Sequence, residues 1–248
     1  MKLLRNATLA LAALSAAYTT TASAEYQYGF GNISINRLDW SNGTEERTAG
    51  GKKDFTYLEL EGGAGFDWGE LYGFMDLENP HKSNEEDDGD GRRIAMKGTI
   101  RVNLGDSGLN LYGQVYDLST DGFNEQNRVV GFGYNIAQGS FFFKPFIGLH
   151  NAQTTYFSGN NGYMLGWVLG YGFKAFGEDF MVTNWHETEF NRDKDYADGK
   201  ETGQNGAVSL WWNATDKMTA GLQYRYADDK LGANTYQNGM IYSLKYNF

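Results

Sequence analysis

Taken in steps of two, the stretch YQNGMIYSLKYNF (236–248) separates into two faces. Tyr236, Asn238, Met240, Tyr242, Leu244, Tyr246 and Phe248 make one that is almost wholly apolar and aromatic. Gln237, Gly239, Ile241, Ser243, Lys245 and Asn247 make the other, mostly small or polar. A period of two over this length marks a β-strand lying between unlike surroundings. Strand-like segments recur near 26–36, 54–66, 69–79, 92–104, 109–118 and 127–136, then near 141–151, 161–173, 179–189, 205–213, 217–227 and 236–248. No helical periodicity is sustained over three turns. Each segment is about the length that a tilted transmembrane strand requires, roughly 9–11 residues.

The connections alternate in length. Asp67-Trp68, Gly105-Asp106-Ser107-Gly108, Ala137-Gln138-Gly139-Ser140, Phe176-Gly177-Glu178 and Thr215-Asp216 are tight turns. The intervening connections, roughly 37–53, 80–91, 119–126, 152–160, 190–204 and 228–235, are longer and polar. Short periplasmic turns alternating with longer outer loops predict an all-β chain, a transmembrane antiparallel β-barrel of about 12 strands with both termini periplasmic.

Charge assigns the faces. Arg93, Ala95, Lys97, Thr99, Arg101 and Asn103 alternate with Ile94, Met96, Gly98, Ile100, Val102 and Leu104. A Lys or Arg facing lipid at mid-depth costs about 2–4 kcal/mol, so the three cations face the interior. The same reasoning sends Thr56, Leu58, Leu60, Gly62, Ala64 and Phe66 outward and turns Tyr57, Glu59 and Glu61 inward. Leu71, Gly73, Met75 and Leu77 go outward, with Tyr72, Phe74, Asp76 and Glu78 inward. An interior holding this many charges is expected to be wet rather than packed.

Composition changes the picture only in part. Mean hydropathy is −0.55, a value that alternating strands keep low even in a membrane barrel. High Gly and Tyr, 2 Pro and no Cys fit a barrel and a secreted sandwich equally, and exclude a disulfide-stapled domain. The formal net charge of −10 argues against nucleic acid, whose phosphates need a basic surface. Lys2 and Arg5, an apolar stretch from Ala7 to Ala17 and Ala22-Ser23-Ala24 read as a cleaved export signal over 1–24, leaving 25–248 as the barrel. The closing strand with its terminal Phe248 is the mark that the barrel assembly machinery reads.

D-F-T-Y-L-E-L-E at 54–61, D-W at 67–68, L-Y-G-F-M-D at 71–76 and the final K-Y-N-F resemble the Tsx family of nucleoside-specific outer-membrane channels and its OmpK-type relatives. The resemblance implies a monomeric twelve-stranded barrel in the outer membrane, with a narrow channel passing nucleosides. It also implies lipopolysaccharide as a neighbour and, as in some relatives, outer loops that serve as a bacteriophage receptor. It carries no residue role onto this chain. From the residues themselves, the candidate lumen set is Tyr57, Glu59, Glu61, Phe74, Asp76, Arg93, Lys97 and Arg101, aromatics to stack on a base and charges to bond a sugar. An unselective small pore, an ion channel, or a plugged barrel whose loops bind a surface partner are the alternatives.

No cofactor or metal site is expected. Glu85-Glu86-Asp87-Asp88-Gly89-Asp90 lacks the alternating Asp and distal Glu of an EF-hand, which leaves a solvated loop or weak divalent binding beside lipopolysaccharide. His81, His150 and His186 stand in no pattern used by outer-membrane phospholipases or proteases, so no enzyme is expected. His186-Glu187 is the one pair that could form an acid/base site at the rim. Trp167, Trp185, Trp211 and Trp212 suit aromatic girdles at the membrane interfaces, with the face of Trp185 ambiguous.

Overall fold

The computed structural model describes residues 24–83 and 91–248. The export signal and the acidic run at 85–90 therefore lie outside the described residues, apart from Ala24. Thirteen strands follow in order: β1 (Tyr26–Trp40), β2 (Phe55–Phe66), β3 (Gly69–Glu78), β4 (Arg93–Asn103), β5 (Leu109–Ser119), β6 (Asn124–Tyr134), β7 (Ile136–Gln138), β8 (Phe141–Thr154), β9 (Ser158–Ala175), β10 (Glu178–Phe190), β11 (Thr202–Thr215), β12 (Met218–Asp228) and β13 (Gln237–Asn247). One short helix, α1 (Asn42–Arg47), sits between β1 and β2, its first turn capped by the Ser41 hydroxyl. Consecutive strands pair antiparallel, except β6 and β7, which do not pair with each other. β1 pairs with β13, and β6 with β8, so the sheet closes on itself without an edge.

The barrel has twelve staves rather than thirteen, because β6 and β7 are one strand with a gap. Both pair with β8 in a single register, Gly133 with Phe146 and Ile136 with Phe143. The missing rungs lie opposite Pro145, which has no N–H to give. Arg101 reaches across from β4 to fill the break, donating from Nη1 to the Pro145 carbonyl (3.2 Å) and from Nη2 to the Lys144 carbonyl (2.9 Å).

Alternation is visible in burial. Along β1, Asn32, Ser34, Asn36 and Leu38 are buried while Ile33 and Ile35 between them are exposed. An apolar residue outside and a polar one inside is the inverse of a soluble sheet, as a lipid-facing wall demands. At one end the connections are tight. Phe176 and Gly177 both take positive φ (55° and 84°), the two-residue turn whose twist suits a hairpin. At the other end the connections are longer. We call these the turn end and the loop end. Several strands run further toward the loop end than their sequence predicts, to Trp40 in β1 and to Thr154 and Ser158 in β8 and β9.

Candidate functional site

The eight residues singled out from sequence all lie on inward positions, but not in one cluster. On β2 and β3, Glu59 stands opposite Asp76, and Glu61 opposite Phe74. Glu61 accepts from Asn32 Nδ2 (3.1 Å), Tyr72 OH (2.8 Å) and Lys245 Nζ (2.8 Å). Glu59 lies 3.8 Å from the same ammonium. Asp76 Oδ1 and Asn32 Oδ1 are buried without a hydrogen-bond partner. The Asn32 amide cannot be turned round, since its Nδ2 already serves a carboxylate. The wall made by β1, β2 and β3 thus carries carboxylates and spare acceptor oxygens.

The remaining four go elsewhere. Tyr57 belongs to an apolar group with Leu38, Trp40, Phe55 and Ile241 near the loop end. Arg93 pairs with Glu78 (2.6 Å) and covers the Phe55 ring. Arg101 lies over Tyr112 and is 3.3 Å from Glu70, which also holds Lys144 of β8. Lys97 crosses the lumen to Glu187 of β10, and Gln114 of β5 donates to the same carboxylate at 3.0 Å.

Sequence reading missed the partners that arrive from the far wall. Trp185 faces inward, with Lys97 Nζ 5.7 Å and Arg225 Cζ 4.6 Å from its ring. Trp211 is also inside, 4.2 Å from Lys245 Nζ, and its Nε1 donates to Thr183. Neither belongs to a membrane girdle, whereas Trp212 is outward. The signal was present for Trp185: Glu187 and Glu189 share its face at intervals of two, and carboxylates do not face lipid. The same parity separates His186 from Glu187. His186 lies on the outer wall, stacked on Trp167 at 4.4 Å and bonded to Tyr226 OH and Thr188 Oγ1 (2.8 and 2.7 Å). Imidazole and carboxylate are on opposite faces of one strand, so they form no acid/base pair.

At the loop end the interior is packed, contrary to the wet lumen expected. Leu231, at φ 60°, leans against the apolar group of β1, β2 and β13. Lys52 Nζ donates to its carbonyl and lies over Trp40. Glu189, fully buried, binds Lys230 and Arg192. Arg192 also donates to the carbonyls of Lys200 (3.1 Å) and Asp229 (2.8 Å), tying the connections 191–201 and 229–236 together. Tyr196 reaches down to Glu125 (2.8 Å) and meets the edge of His150. Burial, then the nearby Arg93 and Arg225 charges, bring Lys52 down to about 8; burial and Glu189 push the Tyr196 phenol up.

A closed twelve-stave barrel with an apolar exterior and a charged interior has the architecture of a membrane-spanning β-barrel, and solved structures share it. A NanC porin superposes with a TM-score of 0.53 at 12% identity, over 86% of this chain and 98% of that one. A KdgM porin in complex with disordered oligogalacturonate gives 0.49 at 8% identity, over 88% and 99%. The model of the family described as nucleoside-specific channel-forming protein, Tsx, matches residues 35–248, and the chain belongs to that family.

Proposed function

We propose that the protein is a passive, nucleoside-selective diffusion channel. The observation that supports this reading most directly is that the interior carries both an aromatic, Trp185, and a wall of carboxylates. The Trp185 ring lies against the Lys97 and Arg225 cations, and a base stacking on it would take the place of one of them. On β2 and β3, Glu59, Glu61 and Asp76 bring carboxylates to one inward face. A nucleoside presents a π-face and a set of hydroxyl donors, and needs such an arrangement. A simple sugar uses only the second half, and an inorganic ion neither. Of the remaining candidates, Phe74 and Lys97 stand in line with Glu61, Tyr57 and Arg93 lie toward the loop end, and Arg101 is committed to the β6–β8 break rather than to the path.

In the same reading residues 1–24 direct export, both termini lie on the periplasmic side, and the barrel works as a monomer. Lipopolysaccharide surrounds its upper rim, Phe248 engages the assembly machinery, and the outer loops are the surface open to bacteriophage. The test is single-channel recording in a planar bilayer with and without added nucleoside. Adenosine or thymidine is expected to interrupt the current while a sugar of similar size does not. Steady current indifferent to both would leave an unselective pore.

A further inference from the structure

The lumen is not one space. Lys97 and Glu187 sit on β4 and β10, with four strands between them one way round and six the other. Their ion pair is therefore a strut from wall to wall. Below it, toward the turn end, Glu70 of β3 meets Lys144 of β8 in a second crossing. On one side of the Lys97–Glu187 strut lie β5, β6, β8 and β9, whose inward side chains Tyr112, Val129, Phe146 and Met164 pack into an apolar block at 0–6% exposure. A hydrated solute has no reason to enter it, since such burial leaves no room for water.

The other side has a different lining. Ser209 donates to Gln223, and Gln223 donates to Ser243, both at 3.1 Å, making a polar ladder across β11, β12 and β13. Facing it from β2, Glu59 and Glu61 retain 18% side-chain exposure. Ser209 and Ser243 are themselves covered, but Gln223 between them and Lys245 beside them are only half-buried. Partly open polar groups of this kind, together with the two carboxylates, are what a water-filled passage requires.

We infer that solute travels off-centre, through the sector bounded by β1–β3 and β11–β13, and that the Lys97–Glu187 strut sets the width of this path. This inference rests on the channel reading but not on the identity of the solute. The apolar group beneath Leu231, at 4–8% exposure, closes the loop end of this same sector and must part for solute to enter it.

Because the chain contains no cysteine, single thiols can report the path in the assembled channel. Gln223→Cys is expected to lose most of its current on adding a charged methanethiosulfonate reagent, and Val129→Cys to be unaffected. Reaction at Val129→Cys, or none at Gln223→Cys, would overturn the assignment. For the strut, K97Q/E187Q is expected to raise open-state conductance about twofold and to weaken discrimination by size. The exchanged pair K97E/E187K should return it toward the original, provided heat-modifiable mobility shows each barrel folded. Unchanged conductance in K97Q/E187Q, or no return in the exchanged pair, would show that the strut does not set the width. All of these are read in plain salt. A channel that passes them and ignores nucleosides would sink the substrate reading alone.

Discussion

Within β1 the same alternation gives two different interiors. Near the turn end Phe30 points inward yet is 51% exposed, and Tyr28 is nearly as open. A few residues on, Leu38 and Trp40 occupy equivalent inward positions and are almost wholly covered. The strand does not make this difference. It comes from the connections 48–54 and 229–236, which fold back over the loop end and bring Leu231 and Lys52 against the β1 side chains. In a barrel the strand pattern decides which side chains are inside; the loops decide whether inside is wet.

The contrast breaks most readily at Glu189. It is buried against Lys230 and Arg192, so Glu189→Gln leaves two cations uncompensated, a loss of about 3–5 kcal/mol. Thermal unfolding followed by the heat-modifiable gel shift should fall markedly, and the connections 191–201 and 229–236 should become open to protease. A wild-type profile would mean these ion pairs do not hold the loop end together. The next test compares the two ends directly. Leu38→Ala should cost about 2–5 kcal/mol, as buried leucines do. Phe30→Ala should cost about 1 kcal/mol or less, since half its surface already meets solvent. Equal costs in denaturant titrations would remove the distinction.

The last effect is a matter of pH. Docked beneath Leu231, Lys52 is held at about 8, below its ordinary 10.5, chiefly by burial, with Arg93 and Arg225 adding repulsion and Glu78 opposing them. The docked state therefore binds fewer protons than an undocked one. Docking is weakest below pH 8 and strengthens as pH rises from about 8 to 10.5, by at most about 3.5 kcal/mol at ~1.4 kcal/mol per unit. The open fraction in bilayer recordings should fall over that range, and Lys52→Met should flatten the response. An open fraction that rises instead would reverse the assigned direction.

The barrel was legible because its two signals are local. Alternation marks a strand within a few residues, and Arg93, Lys97 and Arg101 on one face fix which side is inward. Connection length supplied the rest of the topology. The candidate site was legible only in part. Lys97 is recognisably inward from its own strand, but Glu187 as its partner becomes apparent only once nine staves have been laid around the ring. Trp211 was misplaced because tryptophan suits both an interfacial girdle and a lumen, and its neighbours on β11 carry no charge to decide. Leu231 gave no sign at all, since its position depends on a left-handed backbone conformation that a leucine rarely adopts.

The interrupted seam between β6 and β8 has a consequence for amide exchange. In a closed barrel every backbone rung is shared by two staves, so amide protons should trade with deuterium only when the whole sheet opens. Opposite Pro145 that sharing lapses, and the guanidinium of Arg101 takes the place of the missing rungs. A side chain can swing away while the sheet stays shut. Deuterium should therefore enter the membrane-spanning wall first at Tyr134, while Asn135, whose N–H is held by the Gly108 carbonyl at 2.9 Å, exchanges later with the neighbouring strands.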